Sequence, residues 1–292
     1  MSFSAGKVAR RRCGLDPDGG ARHNLEPMAQ AIFQPFPMLA GRAAQLWRHQ
    51  PAFRRPRHFH AESELNVVLK GAARLGVGER VVTLLEGELL TFEPGQDHVL
   101  LDASADLEMI VMAIRPELAA RAQTGHPLVS AKIALTAPQL GRLWERALAL
   151  AEVRDAVVVE GAIGELFAQL GTRTCDSHVI SRRTVGELHA TPAVRGAELA
   201  TRLKTTQSRI SREFHRDLGL TFVEFRARLR LMRFVDLVDA GLPLTAAAID
   251  ADFGSYAQCH RVFQRALGCA PSAYFAGARA QIEAVTAPEP GG

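Results

Sequence analysis

Apolar residues keep different rhythms along this chain. Between about 41 and 115 they come in short runs: Leu65–Leu69, Ala72–Val77, Val81–Leu85, Leu89–Phe92, His98–Leu101 and Leu107–Ile114. Gly71, Gly76, Gly78, Gly87 and Gly95 punctuate the runs, as expected of short strands turning tightly in a small antiparallel barrel or sandwich. From Pro138 the spacing changes. Leu140, Leu143, Trp144, Ala147, Leu148 and Ala151 recur at three and four, then Ile163, Leu166, Phe167 and Leu170. This spacing predicts helices over 138–153 and 157–170. Their apolar stripes either pack on the barrel or join two copies of the chain, and the pattern leaves both open. A polar joint follows at Thr172–Ser177. Beyond it seven helices are expected, near 178–189, 195–203, 207–217, 222–240, 244–251, 256–266 and 272–279. The fourth is long, carries Phe222, Phe225, Leu229, Met232 and Val235 on one side, and stops at Gly241-Leu242-Pro243. Residues 1–38 mix Gly, Pro, Arg and Asp without periodicity and read as a flexible segment, as does the tail 281–292.

Within the helical part the chain repeats itself at an offset of 49. Arg212 to Gly219 and Arg261 to Gly268 both spell R-x-F-x-R-x-L-G, with Thr206 matching Ser255, Ile210 matching Cys259 and Phe225 matching Tyr274. A fixed-period repeat is one supersecondary unit used twice. Each copy opens on a hydroxyl residue suited to an N-cap. Each then carries an apolar pair four apart, Ile210/Phe214 or Cys259/Phe263, and ends on a glycine suited to the left-handed cap. The arginines fall off the apolar pair and face outward, a means of gripping a polyanion twice.

Composition narrows the classes. The 292 residues are 47% hydrophobic with a formal net charge of +4, enough chain for two separately cored domains. No apolar run reaches the roughly 18 residues that span a bilayer, and Lys7 and Arg10–Arg12 are followed by no apolar secretion core. A cytoplasmic protein with no membrane partner is therefore expected. Cys13, Cys175, Cys259 and Cys269 are scattered, which fits a reducing compartment better than a disulfide framework. Residues 185–280 hold 13 Arg and Lys against 9 acids; that modest surplus, placed on repeated helices, favours phosphate contacts.

Two short helices around a tight turn make a helix-turn-helix, and both Glu198-Leu199-Ala200 with Thr206 onward and Ala247-Ala248-Ile249 with Ser255 onward fit it. Phe253-Gly254-Ser255-Tyr256, His260-Arg261-Val262-Phe263, Leu267-Gly268 and Pro271-Ser272-Ala273-Tyr274 resemble the second helix-turn-helix of AraC-type (AraC/XylS) transcriptional regulators. The resemblance covers about 178–280. Asp252 replaces a usual glycine, Cys259 a phenylalanine and Gln264 a lysine. It implies that both recognition helices enter successive major-groove segments of promoter DNA. By it, Gln207, Ser208, Ser211 and Arg212 face DNA from the first helix, and Tyr256, Ala257, Gln258, His260 and Arg261 from the second. Arg212 and Arg261 suit guanine O6/N7 and Gln207 or Gln258 adenine, while Arg216 and Arg265 suit phosphate contacts or surface pairs.

His58, His60, Glu64 and Gly71 meet the first cupin motif, H-x-H-x3-E-x6-G, in full. Pro94-Gly95 and His98 resemble an imperfect second motif. Positions 58 and 60 of one strand share a face. With Glu64 and His98 they could hold a divalent metal, or serve as polar contacts of a small-molecule effector pocket walled by Phe92 and Val68. The expected fold is thus α+β multidomain: an N-terminal cupin-like antiparallel β-barrel and a C-terminal all-α double helix-turn-helix. The segments are 1–38 flexible, 39–118 sensor barrel, 119–177 helical linker or dimerisation helices, 178–280 DNA-binding domain and 281–292 tail. The expected function is that of a DNA-binding transcription regulator and not an enzyme. It is an activator by family habit, with RNA polymerase and a homodimer as further partners. The alternative is a metal-dependent cupin enzyme, a dioxygenase or isomerase, fused to a DNA-binding domain.

Overall fold

The computed structural model describes residues 31–36, 38–39, 41–49, 55–122, 132–152, 155–173 and 179–278. The segment 1–30, most of the polar joint, Cys13, Cys175 and the tail 281–292 lie outside the described residues. The strands are β1 (Ile32–Phe33), β2 (Ala44–Arg48), β3 (His58–Phe59), β4 (Ser63–Lys70), β5 (Ala72–Val77), β6 (Arg80–Leu85), β7 (Glu88–Phe92), β8 (His98–Ala103), β9 (Glu108–Ile114) and β10 (Lys132–Ala134). They form two five-stranded sheets, β1-β3-β8-β5-β6 and β10-β7-β4-β9-β2, antiparallel apart from the β1–β3 pair.

The period-2 pleat sorts the side chains of β4. Leu65 and Val67 face outward with Leu89, Ile110, Met112 and Ile114. Val68 faces inward, where Leu90, Phe92 and Met109 of its sheet meet Ala73, Leu75, Val77 and Leu84 of the other. The outward face is covered by α1 (Pro116–Ala122), α2 (Ala137–Glu152) and α3 (Ala156–Arg173). Val159 and Ile163 of α3 are buried in that layer, with Leu140, Leu143 and Trp144 of α2 half-buried beside them. Of the two readings of this helix pair, packing on the barrel accounts for its inner stripe.

Two expectations need correcting. The flexible segment was placed through 38, yet Ile32–Phe33 pairs with His58–Phe59 and Phe33 is buried; a two-residue strand is too short to leave a period in the sequence. The barrel was ended at 118, yet β10 joins β7 as a sheet edge.

The C-terminal part contains α4 (Val179–Ala190), α5 (Gly196–Arg202), α6 (Gln207–Leu218), α7 (Phe222–Asp239), α8 (Leu244–Asp250), α9 (Tyr256–Leu267) and a single turn α10 (Pro271–Ala273). The expected last helix, 272–279, instead changes to a π-helical turn at Tyr274–Ala278 with Gly277 at φ 143°. The recognition helices are bounded as their chemistry demands. Thr206 accepts from the Arg209 N–H and Ser255 from the Gln258 N–H, while Gly219 (φ 77°) and Gly268 (φ 74°) close them in the left-handed region. α7 begins with a full capping box, Thr221 with Glu224. Ring packing repeats like the sequence: Phe214 lies 5.3 Å from Phe225, and Phe263 lies 5.4 Å from Tyr274. The repeat is 48 residues before the turn and 49 after it. Thr205 N–H donates to Ala200 O and Phe253 N–H to Ala248 O, so Gly254 is the one residue added in the second turn. Asp252, at the family's glycine position, takes φ 64°, and its carboxylate pairs with Arg233 at 3.2 Å.

Candidate functional site: a buried histidine pocket joined to the helical domain

β3 carries side chains for two sites at once. Alternation sends His58 and His60 into the barrel and Phe59 to the opposite face. There Phe59 joins the core of the helical domain, together with Phe33.

Inside the barrel, His58, His60 and His98 are each 4% exposed or less. One ring nitrogen from each lies within 4.8 Å of the others. Each Nδ1 meets a backbone carbonyl: Pro56 O at 2.8 Å, Glu62 O at 3.0 Å and Gln96 O at 3.1 Å respectively. A carbonyl only accepts, so each Nδ1 bears the proton and each Nε2 is left to face inward. Glu64 Oε2 lies 2.9 Å from His60 Nε2 and 3.3 Å from His98 Nε2. The second contact lacks hydrogen-bond alignment and leaves His98 Nε2 unsatisfied. Acceptors facing a carboxylate require positive charge between them, a proton or a cation. Burial pushes the Glu64 carboxyl up, but the facing His98 and His60 outweigh it and hold it well below the usual range. Burial, then His98 and Arg55, hold the His58 ring well below its ordinary value, the neutral form a metal ligand needs. Three Nε2 donors with backbone-anchored Nδ1–H groups and one carboxylate fit a divalent ion. Phe92 stacks on His98 at 4.4 Å, while Val68 lies deeper in the apolar interior.

The segment 93–98, which ends in His98, also touches the DNA-binding domain. Asp97 binds Arg57 Nη1 at 2.7 Å and Arg228 Nη1, from α7, at 2.6 Å. The same Arg228 donates to Gly95 O at 3.0 Å and lies over the Phe59 ring at 4.7 Å. Gln96 Nε2 donates to Leu218 O, the last residue of recognition helix α6, at 2.8 Å. Glu79 N–H donates to Gly219 O at 2.8 Å. At that point the two backbones touch: a Cβ on Gly78 would be driven into the Gly219 carbonyl. A cleft of about 340 Å³ lies between Ala61 and Pro94 of the barrel and Leu188, Leu229 and Met232 of α4 and α7; the docking combines the polar clasps with Phe33 and Phe59, which join the helical core. Sequence reasoning did not find Arg57, Asp97, Gln96 or Arg228, because nothing in their spacing marks contacts that join residues 40, 122 or 131 positions apart.

Of the residues expected to face DNA, Gln207, Ser208, Ser211, Arg212, Ala257, Gln258 and Arg261 are exposed. Tyr256 and His260 are half-buried, Tyr256 packing against the core. Among the described residues, Arg212 and Arg261 have no ion-pair partner. Arg209 instead pairs with Glu213 and Arg216 with Asp217, each at 2.8 Å. Gln258 is also committed in part: its Oε1 accepts from the Gly254 N–H at 3.0 Å.

Among the described residues no helix is long and apolar enough to cross a membrane. The sequence model of the AraC-like ligand binding domain matches residues 41–174, and that of a helix-turn-helix domain matches 199–277. Among solved structures, wild-type ToxT from Vibrio cholerae bound to an unsaturated fatty acid is 13% identical (79% of this chain, 93% of that one, TM-score 0.42). A further ToxT structure from Vibrio cholerae O395 is 12% identical (80% and 96%, TM-score 0.42). Oxalate decarboxylase of Bacillus subtilis, described with Mn(II) centres, is 22% identical (25% and 20%, TM-score 0.21). No curated protein matches the chain. With a ligand-binding domain followed by a helix-turn-helix domain, and the two matches together spanning most of its length, the chain belongs to the AraC-type transcriptional regulators.

Proposed function

We propose that this regulator is an activator. Its barrel takes up a small effector at His58, His60, Glu64 and His98, and α6 and α9 read adjacent major-groove segments of promoter DNA. The observation that carries the DNA reading is the pair Arg212 and Arg261. They occupy the same position of the two repeats, both are exposed, and neither has an ion partner among the described residues. Guanidinium groups left free on a helix face suit bidentate contact with guanine. Gln207, Ser208, Ser211, Tyr256, Ala257, Gln258 and His260 flank them, with Arg265 and the exposed edge of Arg216 toward phosphate. The same four barrel residues would hold a divalent ion, which when bound supplies a Lewis-acidic anchor for the effector. The barrel is a sensor and not a catalyst in this reading, because its histidines are sealed and the segment bearing His98 leads to α6 and α7. An effector that favours one barrel–DNA-domain arrangement must bind it more tightly than the other, and segment 93–98 is where that preference passes between domains. A cytoplasmic homodimer that engages RNA polymerase completes the reading; Val157 and Val158, 76% and 52% exposed at the start of α3, suit its dimer contact.

Genome-wide binding-site selection with purified protein tests the proposal: one asymmetric motif spanning two adjacent groove segments is expected, and no enriched motif would refute it. Arg261→Ala should then cost about 1–3 kcal/mol at one base pair and relax specificity there; equal weakening on every sequence would reduce Arg261 to a phosphate contact. If about four phosphates are neutralised, affinity should fall roughly a hundredfold between about 50 and 200 mM salt. A flat salt response in a fluorescence-anisotropy titration would remove the docking picture.

A further inference from the structure

The barrel pocket holds more unmatched polarity than three imidazoles and Glu64 can use. β1 runs parallel to β3 with Ile32 opposite His58 and Phe33 opposite Phe59, and the Gln34 N–H extends the pairing by donating to Phe59 O at 3.0 Å. Alternation therefore puts Gln34 on the face of His58 and His60. It is 0% exposed, and among the described residues neither its amide oxygen nor its nitrogen has a hydrogen-bond partner. Exchanging the two atoms would not help, since both are orphaned. Arg55 stands at the same end. Its Nη1 is 3.3 Å from His58 Nε2, its Nη2 donates to Pro35 O at 3.4 Å, and its buried Nε has no partner. Asn66, on the Glu64 face of β4, leaves Oδ1 unmatched.

Buried polar groups are normally matched, and where several unmatched ones converge they describe the ligand that matches them. Among the described residues the open donors here are Arg55 Nε and the Gln34 amide nitrogen; the open acceptors are the amide oxygens of Gln34 and Asn66, beside Glu62 Oε2 and the metal-facing His98 Nε2. The charges agree. Glu62 and Glu64 bring two negative charges, Arg55 one positive, and a divalent ion two more, leaving a single positive charge for one anion to neutralise. We propose that the effector is a small hydroxycarboxylate. Arg55 and the Gln34 amide nitrogen hold its carboxylate, and the Gln34 or Asn66 carbonyl accepts from its hydroxyl. This names the ligand class of the barrel site and rests on the reading of that site as metal-bearing.

The test is calorimetry on the full chain loaded with Zn²⁺, the metal content measured separately, titrated with glycolate and with its neutral isostere glycolamide. Glycolate is expected to bind at least tenfold more tightly. Arg55→Gln should erase that preference with zinc stoichiometry unchanged. Gln34→Leu should weaken glycolate binding yet raise the melting temperature of the ligand-free protein, because it removes a buried unmatched amide; a merely structural glutamine would lower it. Equal binding of the two probes, no binding of either, or full glycolate affinity in both variants overturns the carboxylate assignment while zinc uptake leaves the metal reading standing. Failure of zinc uptake overturns both.

Discussion

Asp97→Ala is expected to destabilise the full-length chain by about 3–5 kcal/mol, because it strands two buried guanidinium groups at once. Arg57 and Arg228 are 10% and 17% exposed, and Asp97 is 5% exposed between them. Without the carboxylate the two positive groups face each other across the domain boundary. Both domains keep their own cores, so the loss should fall on their docking: urea unfolding should begin earlier, and proteolysis should release the helical domain intact. Asp97→Asn, which keeps the shape and loses the charge, should fall between. An unchanged urea midpoint for Asp97→Ala would mean that water already serves both arginines. The pH dependence has a definite sign. Burial pushes the Asp97 carboxyl up, but Arg228 and Arg57 outweigh it and hold it below its ordinary value of 3.8. A carboxyl whose folded pKa lies below its unfolded one stabilises fully above the unfolded value and loses that contribution as pH falls through the folded one. The clasp is thus constant through neutral pH and weakens only in acid below about 3.9.

Phe263→Ala is expected to cost about 3–5 kcal/mol as well, for an unrelated reason. The ring is 0% exposed and lies 5.7 Å from Phe234 and 5.4 Å from Tyr274, so its removal opens a cavity where α7, α9 and the terminal turn meet. DNA binding should disappear together with thermal stability. Arg261→Ala, two residues earlier, should spare stability and change only DNA affinity, because its side chain is exposed and has no ion-pair partner among the described residues. Thermal denaturation of both variants beside a binding titration separates them; a Phe263→Ala protein that melts like the parent would show that this core collapses onto the gap.

The sequence carried the second half of the molecule almost whole. Helix period, hydroxyl caps, terminal glycines and the repeat are local properties, so α4 through α9 begin and end within a residue or two of where the pattern put them. The core pairs Ile210/Phe214 and Cys259/Phe263 are buried as their four-residue spacing required. The barrel was legible as runs between glycines for β4 to β9; β1, β3 and β10 are too short to show a period, and β2, Ala-Gln-Leu-Trp-Arg, holds no apolar run of more than two residues. The four pocket residues could be named because they resemble the cupin motifs; alternation along a strand by itself joins only His58 and His60. Gln34 and Arg55 could not, since each is placed by pairing or by an irregular loop and no periodicity singles either out.

By itself, then, the chain determined its helices, their caps and the twofold use of one DNA-reading unit, each helix and cap set by interactions within a few residues. Tertiary structure alone decided that Phe59 faces the helical core, that Gly78 meets Gly219, and that Asp97 joins Arg57 to Arg228. Those contacts join residues up to 169 positions apart, as Arg228 over the Phe59 ring does, and a one-dimensional pattern holds no term for which surfaces meet. The link from sensor to recognition helix is of that second kind.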